Sequence, residues 1–425
     1  HSGNISRKKA YFAFALLFLL YMFDYIDRLV IVSLFPFLKA EWGLSDTQCG
    51  LLVSAVYWSI LLFSFPVSVL VDRWSRKKTI GLMSILWSMA TLACVFTKNF
   101  KQLFIARTAI GVGEAGYAPG GTALISALFP ESQRAKMLGI WNAAIPFGSA
   151  LGIALGGIIA ERYGWRHAFG IVALPGLVFA VLFFWVKDYR TVDLVRDAGS
   201  TANIQPVKMS KQDIVREFIQ RKSLLFNNLA FAANVFVTTS LLSWMPTYFH
   251  RVEGLDMSKA GTKSGLIMFM AIIGAPLGGY IADRWRRRRP GARMLLPAIT
   301  SISAGILLFV AMTFLEGRLQ YGMLLLVGVT IIMFVPSAVS VTQDVVHPGL
   351  RAISLSINIV IQHTLGSPLG PIFVGAVSDA YGLTTAVQWL PAFTLLAGIL
   401  FWIGSFYYEK DLKAVAKIEV KIEES

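Results

Sequence analysis

This sequence predicts an all-α membrane protein, with twelve transmembrane helices arranged as two pseudo-symmetric six-helix bundles. Three observations carry the prediction. Apolar runs of roughly 18 or more residues, long enough to cross a hydrocarbon core of about 30 Å as helices, recur down the whole chain. Only 15% of the residues are charged and 56% are hydrophobic, where soluble domains carry about 25% charged residues. The second half of the chain also repeats the first.

The runs lie near 10–38, 46–70, 79–97, 102–128, 137–160 and 166–186, then 223–250, 262–282, 294–314, 319–344, 352–378 and 383–408. Residues 187–222 form the one long polar connection. The expected organisation is therefore an N-terminal bundle (1–186), a linker (187–222), a C-terminal bundle (223–408) and a charged tail (409–425) expected to form a solvated helix. In the linker, KMSKQDIVREFIQRK at 208–222 places Ile214, Val215, Phe218 and Ile219 on one helical face, a pattern suited to lying on a membrane surface.

Basic residues set the orientation. Arg73, Arg76, Lys77 and Lys78 follow span 2, and Arg284, Arg286 to Arg289 and Arg293 follow span 8. Lys and Arg concentrate in cytoplasmic connections, so both termini and the linker are expected in the cytoplasm of a protein of the cytoplasmic (inner) membrane. The same placement explains the net charge of +15 without nucleic acid as a partner. Cys49 and Cys94 sit in apolar runs without metal-ligand spacing, so neither a disulfide framework nor a zinc site is expected. The Arg7-Lys8-Lys9 start leads into an apolar stretch far longer than a signal-peptide core, so no cleavable signal is expected.

The repeat is explicit. SVLVDRWSRK at 68–77 matches GYIADRWRRR at 279–288, aligning Asp72 with Asp283 and Arg73 with Arg284. Pro119 and Arg134 align with Pro336 and Arg351. IPFGSALGIALGGIIAERYG at 145–164 lies over HTLGSPLGPIFVGAVSDAYG at 363–382. Two six-helix units in parallel repeat give a binding site at the bilayer midplane between them.

Span 4 contains GVGEAG at 111–116, which has the form of a dinucleotide-binding turn. That motif requires a preceding strand and an opening helix, whereas QLFIARTAI before it continues one apolar helix. Close helix approach is the better reading of these glycines, and Pro119 adds a kink.

Charge at membrane depth is the main functional signal. Asp24, Asp27 and Arg28 lie in span 1, and Arg107 and Glu114 in span 4. Each costs roughly 2.5–3.5 kcal/mol at the bilayer centre on the insertion scale, so they should face a polar cavity and one another. Asp24 and Arg28 stand at i and i+4 with the acid first, the favourable order for a pair on one helix. Asp27 points about 100° away from Arg28 and needs another partner, for which Arg107 is expected. Arg107 and Glu114 share a face but are about 10 Å apart along the axis, too far for a direct pair.

A guanidinium whose partnership changes also changes the proton affinity of the acid beside it. Asp27, Glu114 and Asp24 are therefore the expected proton-coupling residues, and Arg28 and Arg107 the expected groups for an anionic substrate, whose carboxylate or phosphate suits the bidentate fork. In the second half Leu324 and Ile331 answer Arg107 and Glu114, while span 7 offers Asn227, Asn228, Asn234, Thr238 and Thr239. Tyr117, Asn234 and His363 complete the expected substrate-binding set. Tyr21, Tyr25 and Trp244 are aromatic candidates for accommodating an apolar chain.

The D-R-x-x-R-[RK] turns after spans 2 and 8, and R-x-x-x-G-x-G-E-A in span 4, resemble the Major Facilitator Superfamily of secondary transporters over residues 10–408. Within it DYIDR at 24–28, GVGEAGY at 111–117 and GGYIADRWRRR at 278–288 resemble the spinster-like subgroup; the anion:cation symporters share the Asp-Arg pair. The resemblance implies alternating access without enzymatic activity or a cofactor, protons being the coupling ion, and a monomer in the lipid bilayer. It implies that Asp72, Arg73, Asp283 and Arg284 latch one conformation. It also implies an anionic organic solute, amphipathic in the manner of a lysophospholipid or sphingoid phosphate, with small hydrophilic organic acids as the alternative. Gly148, Gly152, Gly156 and Gly157 resemble an antiporter glycine motif, except that Ile153 replaces its proline.

Overall fold

The computed structural model describes residues 7–73, 76–129, 131–186, 218–347 and 350–416. Each of the twelve predicted spans is helical there, and no strand occurs among the described residues. Among the described residues, nine stretches are individually long and apolar enough to cross a membrane. The other three are span 1, span 4 and span 11.

In the first half, span 1 is α1 (Arg7–Leu29), a 3₁₀ turn and α2 (Phe35–Trp42). Next come α3 (Asp46–Arg73) and α4 (Arg76–Ala93), then span 4 as α5 (Phe100–Glu114) and α6 (Tyr117–Leu128). Span 5 is α7 (Glu131–Asn142) and α8 (Ala144–Tyr163), and span 6 is α9 (Trp165–Phe183). Proline explains two of the breaks. It lacks the N–H for the i→i−4 bond, so Pro119 cannot donate to the Ala115 carbonyl where α5 gives way to α6, and Pro146 cannot donate to the Asn142 carbonyl between α7 and α8.

The second half follows the same plan: α10 (Lys222–Arg251), α11 (Met257–Phe269) with α12 (Ala271–Arg286), α13 (Ala292–Phe314), α14 (Gly317–Thr330) with α15 (Val335–Asp344), α16 (Arg351–Ile361), a π turn (Gln362–Gly366), α17 (Leu369–Tyr381) and α18 (Leu383–Ala416). Pro336 opens α15 as its repeat partner Pro119 opens α6. The backbone repeats in finer detail. Gly164 and Gly382 join consecutive helices at φ +91° and +89°, and Gly43 and Gly254 follow spans 1 and 7 at φ +62° and +69°. Only glycine adopts such values without strain, which explains why the repeat keeps it at these four points.

Two compact units result. One contains His1–Arg190, Thr238–Ile272 and Ser367–Trp389; the other contains Thr191–Val237, Ile273–Gly366 and Leu390–Ser425. The first thus gathers the whole first bundle and parts of spans 7, 8, 11 and 12. The second is centred on Phe231, Phe334, Phe401 and Tyr408. Span 12 continues past Tyr408 to Ala416. Asp411 is buried there and accepts hydrogen bonds from the Ser223 N–H and hydroxyl at 2.9 and 2.6 Å. The start of the tail is helical, as expected, and Glu409, Lys410 and Lys413 are exposed; Asp411 alone of its charges is packed inward, where it caps α10. The 208–217 part of the linker helix lies outside the described residues.

Within the first unit, the end of α3 opposite its Asp72-Arg73 turn is clamped. Asp46 is buried, pairs with Lys39 and receives both Arg251 guanidinium nitrogens at 2.7 and 2.9 Å and the Ser378 hydroxyl at 2.6 Å. Asp379 in turn accepts the backbone N–H groups of Asp46 and Thr47 at 2.8 and 2.9 Å. A carboxylate on the first turn of a helix contributes about 0.5–2 kcal/mol by capping. The backbones here nearly touch: a Cβ on Gly375 would lie 2.5 Å from the Asp46 carbonyl oxygen. Cys49 is a free, buried thiol one turn into the same helix. In a Cys94→Ser background, Gly375→Leu or Arg251→Gln is expected to open this end and admit maleimide to Cys49. Labelling no faster than in the parent would show that the clamp does not hold the end shut.

Candidate functional site

The membrane-depth charges of spans 1 and 4 meet inside the first unit. Gly148, Gly152 and Gly156 on α8 make this possible: a Cβ on each would lie 2.3, 2.8 and 2.8 Å from the carbonyls of Met22, Ile26 and Val30. Small residues let transmembrane backbones approach in this way. The GVGEAG glycines do the same for α5. Gly111 abuts α3 at Val56 and Gly113 abuts α4 at Trp87. The expected packing role of that motif is what the structure shows.

Arg28 is the hub. Its Nη2 lies 3.0 Å from Asp24 Oδ2 and 2.9 Å from Glu114 Oε2, and its Nε donates to the same Glu114 oxygen at 3.0 Å. All three residues are buried. The guanidinium also stacks on the Tyr25 ring, 4.4 Å from its centroid, a cation–π contact. The Asp24–Arg28 pair is as expected, but the Glu114 contact was not legible. It joins helices 86 residues apart, and spacing along one helix carries no information about such a contact.

Arg107 corrects an expectation. It does not bond the Asp27 carboxylate. Its Nε, Nη1 and Nη2 donate to the backbone carbonyls of Leu52, Asp27 and Arg28 at 3.1, 3.1 and 2.8 Å. The Asp27 and Arg28 carbonyls are open because span 1 leaves regular α-helix for a 3₁₀ turn at Val30–Ser33, which frees acceptors at the end of α1; the Leu52 carbonyl lies within α3. Arg107 therefore ties α5 to α1 and α3, with its donors directed at backbone.

Among the described residues, neither oxygen of the Asp27 carboxyl has a hydrogen-bond partner, at zero exposure. It faces α4 and α9. The position a Cβ would take on Gly176 is 3.8 Å from Asp27 Oδ2 and 3.1 Å from the Ser88 hydroxyl, itself buried without a partner. The cluster thus holds three carboxyls, one guanidinium shared by two of them, and one guanidinium committed to backbone.

The aromatic candidates divide. Tyr21 stacks on Trp141 at 4.3 Å and meets Tyr25 edge-on at 5.5 Å. Tyr117 lies beside Tyr21 with its hydroxyl donated to the Leu17 carbonyl at 2.5 Å, so its polar atom is occupied. Trp244 is fully buried and donates to the Pro371 carbonyl at 3.0 Å. It belongs to helix packing because its ring is enclosed. In the second unit Asn234 donates to the Ser301 hydroxyl at 2.7 Å, and half-buried His363 Nδ1 lies 3.0 Å from the Ile359 carbonyl. Asp283 is exposed and 3.5 Å from Arg293, which also approaches Asp344; Arg284 is exposed. The side chains of Asp72 and Arg73 lie outside the described residues. Asp46, Arg251 and Asp379 went unnoticed in the sequence, although a charge at the mouth of each apolar run was the available signal.

Arg107→Lys tests the tie. A single ammonium cannot reach three carbonyls set for a planar fork, and each charge-assisted bond is worth about 1.5–3 kcal/mol. The expected result is a melting temperature in detergent lowered by several degrees. An unchanged melting temperature would contradict this role.

Comparison with known proteins agrees with the fold. A family model described as the Major Facilitator Superfamily matches residues 17–371. The chain is 26% identical over 412 residues to an Arabidopsis thaliana protein described as a probable sphingolipid transporter, spinster homolog 1, covering 91% of this chain and 83% of the relative. It is 27% identical over 268 residues to the hexuronate transporter of Bacillus subtilis (strain 168), covering 63% of each. A crystal structure of a bacterial homolog of the human lysosomal transporter spinster, inward-facing and unoccupied, superposes with a TM-score of 0.82 at 22% identity, over 96% of this chain and 99% of that one. The chain belongs to the Major Facilitator Superfamily and is similar within it to spinster proteins, a transporter rather than an enzyme.

Proposed function

We propose that the protein couples proton movement to the transport of an anionic organic solute, with Arg28 as the anion-binding group. The observation that supports this most is the sharing of Arg28 by Asp24 and Glu114. An incoming carboxylate or phosphate competes for the same planar fork. The acid it displaces is then a buried charge without a partner, a costly state that neutralisation relieves. Protonation of Glu114 or Asp24 accompanies anion binding, and release of the anion returns the acid to Arg28.

Asp27 is the second proton carrier. Its carboxyl already lacks a partner, so its charge depends on what enters the space beside Ser88. Arg107 shapes the pocket by fixing the backbone under Arg28 instead of meeting the anion. Tyr117 lines the aromatic side of the same cluster, and Asn234 and His363 are the hydrogen-bonding candidates from the second half.

The solute is amphipathic on this reading, of the lysophospholipid or sphingoid-phosphate kind. The similarity to a probable sphingolipid transporter supports it, as does the Tyr25 ring stacked against the Arg28 guanidinium. The similarity to a hexuronate transporter favours the alternative, a proton symporter for small hydrophilic acids. The clamp at Asp46 closes one face of the alternating-access cycle. The turns at Asp72-Arg73 and Asp283-Arg284 latch the other, in a monomer of the cytoplasmic membrane with both termini inside.

Reconstituted vesicles test the coupling. A pH gradient imposed across vesicles of the wild-type chain is expected to drive accumulation of a lysophospholipid or a uronic acid. Asp27→Asn is expected to abolish that accumulation while preserving exchange. If Asp27→Asn accumulates solute as the wild type does, Asp27 is not a coupling residue.

A further inference from the structure

A groove of about 420 Å³ lies between α4 and α5 in the first unit. Two alanines from each helix, Ala90 and Ala93 from α4 and Ala106 and Ala109 from α5, leave a space that larger side chains would fill. Phe96 and Ile105 complete the apolar lining and are 74% and 67% exposed, so the groove opens on the surface of the bundle. From Gln102 to Ala109 it extends about 10 Å along α5.

One end of the groove is polar. Thr97 and Gln102 line it where the 3₁₀ turn Cys94–Phe96 leads into the start of α5. The Thr97 hydroxyl donates to the Cys94 carbonyl at 2.7 Å, and its own carbonyl accepts Arg166 Nη2 at 3.2 Å. Gln102 Oε1 accepts the Lys98 backbone N–H at 2.8 Å, whereas its amino group has no partner among the described residues. The Lys98 and Lys101 ammonium groups are exposed and also lack a partner among the described residues. Glu41, which reaches this loop through Arg166, is paired with that arginine at 2.8 Å. The N-terminal end of α5 adds partial positive charge at the same place.

Unpaired ammonium and amide donors thus stand over an apolar trough cut into two membrane spans. A free anion would need only the donors, and a hydrocarbon chain would need only the trough. A phospholipid with a net negative headgroup uses both. We propose that the groove between α4 and α5 holds an anionic phospholipid of the surrounding bilayer. Its phosphate lies against Lys98, Lys101 and Gln102, and one acyl chain runs between Ala93 and Ala109. This is a resident lipid rather than the transported solute, because the groove is lined without Asp24, Arg28 or Glu114. Its chain adds dispersion contacts to α4 and α5, the helices that carry Ser88 and Arg107.

The test reconstitutes the full chain in phosphatidylcholine vesicles doped with phosphatidylglycerol that carries a diazirine in one acyl chain. Illumination and peptide mapping are expected to find adducts within residues 90–109. Unlabelled phosphatidylglycerol is expected to suppress these adducts at roughly tenfold lower concentration than added phosphatidylcholine of the same chains, because basic groups at a membrane surface attract anionic lipid. The Lys98→Gln/Lys101→Gln variant is expected to lose that preference. Ala93→Phe/Ala109→Phe, which fills the trough, is expected to lose the adducts in 90–109 while keeping those on other parts of the chain. The proposal is overturned if wild type gives no adducts in 90–109, if the two lipids compete equally, if the double lysine variant keeps the preference, or if the filled variant labels as wild type does. The lysine variant alters exposed side chains only, so it reads the headgroup site even if the filled variant fails to fold.

Discussion

One guanidinium held between two carboxyls in the interior of a membrane bundle governs the first unit. Arg28 cannot be buried alone, and neither can Asp24 or Glu114, since an isolated charge in a low-dielectric interior costs far more than a folded helix can spare. Contacts of 2.9–3.0 Å between α1 and α5 require helices that nearly touch. The glycines of α5 and α8 and the grip of Arg107 on three carbonyls meet that requirement. The packing can thus be read outward from the charge cluster: small residues stand where backbones must approach, and the second arginine anchors the turn that carries the first.

The arrangement is poised to respond to charge. A guanidinium with two carboxyl partners has one more than it needs, and Asp27 has none. On the proposed mechanism, an anion entering such a cluster changes which acid is paired, and a proton is the smallest species that restores balance. The Asp46 clamp rests on the same principle in a partly exposed setting, with one buried acid served by Lys39, Arg251 and Ser378 and a second acid capping the helix. Both assemblies draw their partners from distant parts of the chain, so each holds only while particular helices stay together.

Much of this was legible in the sequence, for identifiable reasons. Hydrophobic run length gives the spans, because no water satisfies the backbone inside a bilayer and helix is the remaining choice. The repeat gives the two-fold plan, down to the paired positive-φ glycines at 164 and 382. The Asp24–Arg28 pair was readable because both residues lie on one helix. Contacts across helices were not. Arg107 was expected on the Asp27 carboxylate because charge suggested it, yet the open carbonyls at the end of α1 compete for the same donors and prevail. Trp244 is an aromatic candidate in the sequence because aromatic residues suit apolar chains, but its N–H donates to the Pro371 carbonyl and its ring is enclosed. Sequence periodicity reports which face a residue occupies, while the partner on that face depends on the three-dimensional packing.

The central claim is that an anion displaces a carboxyl from Arg28 and that the displaced acid takes up a proton. Calorimetric titration of an anionic solute in buffers of different ionisation enthalpy counts those protons directly. The account predicts net uptake of about one proton per anion bound at neutral pH, lost when Glu114 is replaced by glutamine. Binding that is tight and buffer-independent in the wild-type protein would contradict it.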